Sequence, residues 1–316
     1  MRKNYFKGLS ILFLSLFVSV TTYAQLGTDV YTLGSDNANN YAGTWNETTA
    51  GTGFSDWVFD TATPSGGFAG RFLGSFSAAL DVSSNSFGLF ANSGNNAVSG
   101  ATRSLPQTLQ EGDVFTISIG VNFRDGAKGF DLRDASNATI LNFNVGSDKY
   151  TMDGSTDLFG DAYDANTVIT FTFTQNETSL DWTAVRSGGL TGTQSGTKNS
   201  VNAGTITNLR LYNVSAGTNG DGSGARNLFF NSFEFTSLYS INANSSVTVS
   251  SNTTAPYLTI ESGSSVTVNS NIDLNISGNL SNGGTLTANA GSSLRVGGAS
   301  TGDVTYNRTL TSVSGN

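Results

Sequence analysis

The chain has no cysteine and no histidine in 316 residues. The first absence excludes disulfides and thiol catalysis. The second removes Ser-His-Asp chemistry and the imidazole that most zinc and transition-metal sites need. Stability must therefore come from a core, and any catalysis would fall to carboxylates. Proline is also scarce, at 3 residues, and charged side chains make up 12%, about half the usual share of roughly 25%. Glycine is plentiful, at 38. Serine, threonine and asparagine fill much of the rest. That composition suits strands of Thr and Val joined by Gly, Asn and Ser turns.

The first residues are read apart from the fold. Arg2, Lys3 and Lys7 precede an apolar run from Leu9 to Val20, and Thr22-Tyr23-Ala24 places small residues at −3 and −1. A run of 12 is shorter than the ~20 residues of a membrane span, so residues 1–24 read as a cleaved signal peptide. The expected location is secreted, extracellular or at the cell surface, after export across the inner membrane. Without the leader the chain has 12 basic and 23 acidic residues, a net charge of −11. An acidic surface disfavours nucleic acid and anionic lipid. No later apolar run is long enough for membrane insertion.

Residues 25–238 alternate with period two. In Asp113–Arg124, Phe115, Ile117, Ile119, Val121 and Phe123 share one face, and Thr116, Ser118, Gly120, Asn122 and Arg124 share the other. That is a strand with one buried and one wet side. The stretches 139–145, 167–174, 178–184, 207–214 and 227–236 behave alike. No stretch carries a helical period. Short strands between turns such as RDGAKG and QNET predict an antiparallel sandwich.

After Leu238 the large aromatics fade, apart from Tyr257 and Tyr306. SSVTVSSN at 245–252 returns almost unchanged as SSVTVNSN at 264–271. ESGSSVTV at 261–268 aligns, at a different and longer spacing, with NAGSSLRV at 289–296. Residues 239–316 thus read as a β-solenoid or β-roll, with a strand about every 9–10 residues and a small apolar side chain turned inward from each. The chain stops soon after TYNRTL, which reads as the front part of a longer protein.

Two segments resemble known families. SFGLFANSGNNAVSGATRSL (86–105), LQEGDVFTISI, GFDLRDASNATILNFNVGSDKYTMDG (129–154) and ITNLRLYNVSAGTNGDGSGARNLFFNSFEF (206–235) together resemble a jelly-roll, lectin-like module of many large secreted bacterial proteins. That resemblance implies a sandwich and carries no reaction. The repeats LTIESGSSVTV, GNLSNGGTLT and SSLRVGG resemble those that precede sorting domains of the type IX secretion route. The fold expected is all-β: a jelly-roll β-sandwich followed by a short β-solenoid segment.

The search for chemistry is short. The five Glu residues, 47, 111, 177, 234 and 261, are scattered, and no Glu-x-Asp-x-x-Glu strand exists. Asp56 and Asp60 flank Trp57 without forming a motif. The expectation is a protein that is not an enzyme; a glycosidase or lyase using paired carboxylates is the remoter alternative. A structural Ca²⁺ is the one cofactor the loops could hold, at Asn219, Asp221 and Ser223 in NGDGSG or at the turn of Asp131, Asp134 and Asn137. The leading function is recognition or adhesion by the sandwich, with the repeats as spacer. The alternative is a carbohydrate-binding accessory module of a polysaccharide-degrading system. Partners would be extracellular polysaccharide or another surface protein. Sugar recognition needs planar polar groups and an exposed aromatic face. The candidates are Asn122, Arg124, Asn142, Asn144 and Arg210 on the wet face and Trp57, with Trp45, near the N-terminal edge. Trp182 alternates with Leu180 and Ala184 and reads as core.

Overall fold

A computed structural model describes residues 25–64, 68–92, 96–124, 126–146, 149–155, 157–160, 164–217 and 226–308. Among them there is no α-helix, and no helix long and apolar enough to cross a membrane. The first strands are β1 (Tyr31–Asp36), β2 (Val58–Ala62), β3 (Ala69–Gly74), β4 (Ser86–Ala91), β5 (Val98–Ser104), β6 (Val114–Val121) and β7 (Ala127–Arg133). They are followed by β8 (Thr139–Gly146), β9 (Lys149–Met152), β10 (Val168–Gln175), β11 (Ser179–Ser187), β12 (Gly192–Asn199), β13 (Asn208–Val214) and β14 (Leu228–Ser237).

These strands form two antiparallel sheets. One runs β12-β11-β10-β6-β14-β4-β3, with β1 also on the edge of β14; the other runs β2-β5-β13-β7-β8-β9. The period-two side chains explain the pairing. Phe115, Ile117 and Ile119 of β6 and Phe171 and Phe173 of β10 turn inward against Phe130 of β7 and Phe143 of β8. The Phe143 and Phe171 rings meet at 4.5 Å. Strand β14 bulges at Ser232, where φ is +57°, and pairing with β6 shifts register between Asn231 and Glu234. That bulge lets Phe230, Phe233 and Phe235 all reach the core.

The expected wet side of β6 is partly covered. Leu80, Val168 and Phe229, with Phe72 and Phe76, form a small apolar cluster outside the first sheet. A Cβ on Gly120 would come within 2.3 Å of the Phe76 ring. Glycine here is what leaves room for that ring against the strand.

From Ser240 the chain coils. Strands β15 (Ser240–Ile241), β18 (Leu258–Ile260), β21 (Leu280–Asn282) and β24 (Ser300–Thr301) stack in parallel as one face. Strands β16 (Ser246–Val249), β19 (Ser265–Val268), β22 (Thr285–Ala288) and β25 (Val304–Tyr306) form a second. Strands β17 (Thr253–Ala255), β20 (Asp273–Ile276) and β23 (Ser293–Val296) form the third. The coil is three-sided, so its strands follow one another more closely than the strand about every 9–10 residues expected from the sequence. Val247 sits on Val266, and Val266 on Leu286: the return of SSVTV is one full coil. The match of ESGSSVTV with NAGSSLRV is different. Ser265 pairs with Thr285, whereas Ser293 pairs with Asp273 on the third face. What recurs in that longer match is a corner. Asn244, Gly263, Asn271 and Gly291 all take positive φ, from 61° to 81°, just ahead of a strand. Asn and Gly tolerate that conformation.

The solenoid core holds Val249, Leu258, Ile260, Val268, Leu274, Ile276 and Leu286, closed at its start by Leu26 and Tyr31 from the N-terminal segment. It joins the sandwich through a buried polar knot. The Tyr257 hydroxyl donates to Asp113 Oδ1 (2.6 Å) and lies 2.8 Å from Ser237 Oγ. Gln107 Nε2 donates to Asp113 Oδ2 (2.7 Å), and Ser240 Oγ donates to Gln107 Oε1 (3.0 Å).

Candidate functional site

The outer face of the second sheet carries an ordered polar surface. Register builds it in rows. Thr102 of β5 lies opposite Arg210 of β13, Arg210 opposite Asp131 of β7, and Asp131 opposite Asn142 of β8. The neighbouring row is Asp60, Gly100, Tyr212, Gly129 and Asn144, from β2 to β8. The two glycines matter. A Cβ on Gly100 would meet the Asp60 carboxylate at 1.7 Å, and one on Gly129 would meet the Phe143 carbonyl oxygen at 2.0 Å. Side chains there would push Asp60 away and part β7 from β8.

The groups hold one another. Arg210 Nη2 pairs with Asp60 Oδ2 (2.7 Å), and its Nη1 lies 4.0 Å from Asp131 Oδ2. Arg133 donates to that same Asp131 oxygen through Nη2 (2.6 Å) and Nε (3.2 Å). Asn142 Nδ2 donates to Asp131 Oδ1 and to the Tyr212 hydroxyl, each at 2.8 Å. Tyr212 lies low between the glycines and donates to the Phe143 carbonyl (3.2 Å). Burial pushes its hydroxyl up to about 12, so it stays a neutral donor at physiological pH. Beside Asp60 and Arg210 the face opens into a cleft of about 470 Å³, also lined by Val58, Thr102, Arg133 and Asn208. Val58 is 67% exposed and supplies an apolar edge. Fixed guanidinium, carboxylate and amide planes offer directional donors and acceptors to a ligand rich in hydroxyls.

Three of the six candidate ligand residues, Asn142, Asn144 and Arg210, share this face. The other three do not. Asn122 and Arg124 lie past the end of β6, which stops at Val121, in the other sheet. Asn122 Oδ1 accepts from the Asn227 N–H (2.7 Å), and Arg124 is buried over the Tyr150 ring at 5.5 Å. Phe123, expected inward, is 37% exposed for the same reason. Trp57 is 2% exposed and Trp45 4%, so neither offers a stacking face. They pack edge to face at 5.2 Å in the core. The Trp57 indole N–H donates to the Tyr41 hydroxyl, which donates to Asp36. Asp36 in turn pairs with the fully buried Arg103 at 2.6 Å. Trp57 therefore belongs to a structural ion-pair network.

Of the calcium candidates, Asn219, Asp221 and Ser223 lie outside the described residues. Asp134 is engaged in its own turn. Its Oδ1 accepts from Ser136 N, Ser136 Oγ and Ala138 N, an Asx-type turn. Asp131 points instead into the polar face. Among the described residues no group of three acidic side chains is placed to hold a metal.

Sequence reasoning missed Asp60, Arg133 and Tyr212 as members of the face. Alternation in Val58–Ala62 and Asn208–Val214 could have placed Asp60 and Tyr212 outward, but only the strand order brings them together. Trp182, read as core, does pack against it but is only half-buried. Its ring packs on the core from one side and lines a cleft of about 420 Å³ on the other.

No family model matches the chain, and no curated protein matches it. Solved structures do. The cellulose-induced protein Cip1 is 16% identical, covering 64% of this chain and 95% of its own, with a TM-score of 0.38. Lectin II from Ulex europaeus is 11% identical over 64% of this chain and 97% of its own, TM-score 0.35. A family 11 carbohydrate-binding module from Clostridium thermocellum, in complex with a β-1,3-1,4-mixed-linked tetrasaccharide, is 8% identical over 65% and 96%, TM-score 0.28. At these identities and scores no ligand or reaction transfers to this chain.

Proposed function

We propose that the chain is a secreted, non-catalytic recognition protein whose sandwich binds carbohydrate on the outer face of the second sheet. The solenoid serves as a spacer that holds that face away from whatever anchors the protein. The observation that carries this reading is the row Arg210–Asp131–Asn142, three planar polar groups on adjacent strands, with Arg210 held by Asp60 and Asp131 held by Arg133 and Asn142. Such a row meets hydroxyls with little loss of side-chain entropy, because the side chains are already held. The two carboxylates of the face, Asp60 and Asp131, are occupied by guanidinium and amide partners, which suits a fixed hydrogen-bonding surface better than a free acid–base pair. The signal peptide and the repeats resembling type IX export segments favour an extracellular or surface location.

The test is binding of the full chain to a glycan array and to insoluble polysaccharides. Arg210→Ala should weaken binding at least tenfold, the effect of losing a charge-assisted hydrogen bond of about 1.5–3 kcal/mol. No glycan binding by the wild-type chain, or unchanged affinity in Arg210→Ala, overturns the proposal.

A further inference from the structure

The polar face does not end at β8. Asp153, just beyond β9, turns one carboxylate oxygen each way. Its Oδ1 accepts from the Asn142 backbone N–H (2.9 Å), and its Oδ2 pairs with Lys198 Nζ of β12 at 2.6 Å. Since β9 and β12 are edge strands of opposite sheets, this pair bridges the open side of the sandwich. Behind it lies the 420 Å³ cleft, with Trp182, Gln194 and Lys198 in its wall. Trp182 is opposite Gly196 in the register, and a Cβ on Gly196 would come within 2.6 Å of the indole. The missing side chain lets the ring lean over β12 towards the edge. Of the three tryptophans, Trp45 and Trp57 are sealed in the core, and only Trp182 among the three can present its indole face to a ligand.

We infer that the ligand track continues from the Arg210–Asp131–Asn142 row, past Asp153 and Lys198, to Trp182, and that its occupant is an extended neutral polysaccharide rather than a single terminal sugar. This rests on the proposal that the polar face binds carbohydrate. Length is argued from the strands. Crossing from β13 to β9 takes three spacings of ~4.8 Å, and rounding the edge to the other sheet adds ~10 Å. The whole is about 25 Å, well beyond one sugar ring. Aromatic stacking supplies the apolar half of sugar recognition that the polar row lacks. Neutrality follows from charge: Lys198 is paired with Asp153, and the −11 of the chain without residues 1–24 repels polyanions.

The experiment uses the full chain with di- and hexasaccharides of cello-, laminari-, xylo- and manno-series, read by calorimetry and by acrylamide quenching of tryptophan emission. The hexamer of the bound series should bind at least tenfold tighter than its dimer and should protect the accessible tryptophan from quenching. Trp182→Ala should erase the length advantage, and Trp182→Phe should restore part of it. Melting curves of both variants identify any loss that comes from unfolding, and Trp182→Phe keeps a ring on the core. Equal hexamer affinity in wild type and folded Trp182→Phe and Trp182→Ala overturns the track while the polar face stands. Tight hexamer binding by the wild-type chain with no protection of its tryptophan from quenching overturns it too. If no series binds the wild-type chain, the reading of the face and the track fall together.

Discussion

The two halves of this chain make β-structure in opposite ways. In the sandwich, β6 pairs with β14 across more than a hundred residues, and the space between sheets is filled by aromatic rings. In the solenoid, each strand pairs with its equivalent in the next coil, and the core is Val, Leu and Ile. The first arrangement is non-local and requires most strands to be in place at once. The second adds one coil at a time, each touching only its neighbours. Function follows the same division. The non-local half brings polar groups from distant strands onto one surface. The local half repeats Ser, Thr and Asn outward, coil after coil.

The largest effect should come from the sandwich's buried charge. Arg103 and Asp36 are both fully buried, and Arg103 also donates to Thr49 Oγ1 and the Ser55 carbonyl over the face of Trp57. Arg103→Ala leaves a buried carboxylate without its cation, which should cost about 3–5 kcal/mol. Urea unfolding followed by tryptophan fluorescence measures it. A loss below about 1 kcal/mol, the ceiling for an exposed pair, would mean that the network is incidental to the sandwich.

A core truncation in the coil tests the other half. Leu274 of β20 is fully buried between β17 and β23. Leu274→Ala should cost about 2–3 kcal/mol, the lower part of the range for such cavities because neighbouring coils can close in. Hydrogen exchange should show faster opening of adjacent coils and unchanged protection in β6 and β10. Exchange rising equally in both halves would show one cooperative unit and break the contrast.

The same division decides what could be read from the sequence. Period-two alternation located six of the fourteen sandwich strands among the described residues, β6, β8, β10, β11, β13 and β14, because burying one face of a strand writes that pattern directly. The return of SSVTV was equally plain, since a coil stacks like on like. What failed was whatever depended on strand order. Asn122 and Asn142 both alternate outward in the sequence, but Asn122 falls past the end of β6 and Asn142 lies on a strand of the other sheet. Trp57 sits beside two aspartates in sequence and is core in three dimensions, because Arg103, from a later strand, comes to lie against it. Trp182 fits a core pattern, yet its sheet runs out beyond β9 and leaves one side of the ring uncovered. The match of ESGSSVTV with NAGSSLRV was a real likeness of corners, and no pattern could tell which face each corner feeds.

The seam between the halves gives a smaller effect. Tyr257→Phe removes one donor to buried Asp113 and one partner of Ser237. The cost should be about 1–3 kcal/mol, the range for leaving a buried acceptor short. It should appear as faster exchange at β15 and β18, with both cores unchanged. If both cores loosen as well, the seam is an integral part of them and not a joint.

The smallest effect is one of pH at the same seam. Burial pushes the Asp113 carboxyl above its ordinary value, against the lowering pull of donations from Tyr257, Gln107 and the Gln110 N–H. A raised carboxyl binds its proton more tightly folded than unfolded. Between the unfolded value, about 3.9, and its raised folded value, the native state holds the extra proton, so stability falls as pH rises. The contribution is therefore full below about pH 4 and is lost as pH rises through the folded value. Asp134 and Asp181 act in the other direction. Donations from Ser136 and the Ala138 N–H hold Asp134 low, and those from Thr197 and Asn176 hold Asp181 low. Their contributions are present above the unfolded value and fade in acid. A whole-protein melting curve would mix the two trends. Local exchange at β15 and β18 separates them, because Asp134 and Asp181 lie in the sandwich away from the seam. The expected outcome is slower seam exchange, corrected for intrinsic rate, at pH 4 than at pH 7, with the difference absent in Asp113→Asn. A seam that tightens steadily from pH 4 to pH 7 would show that the hydrogen bonds to the carboxylate outweigh its burial.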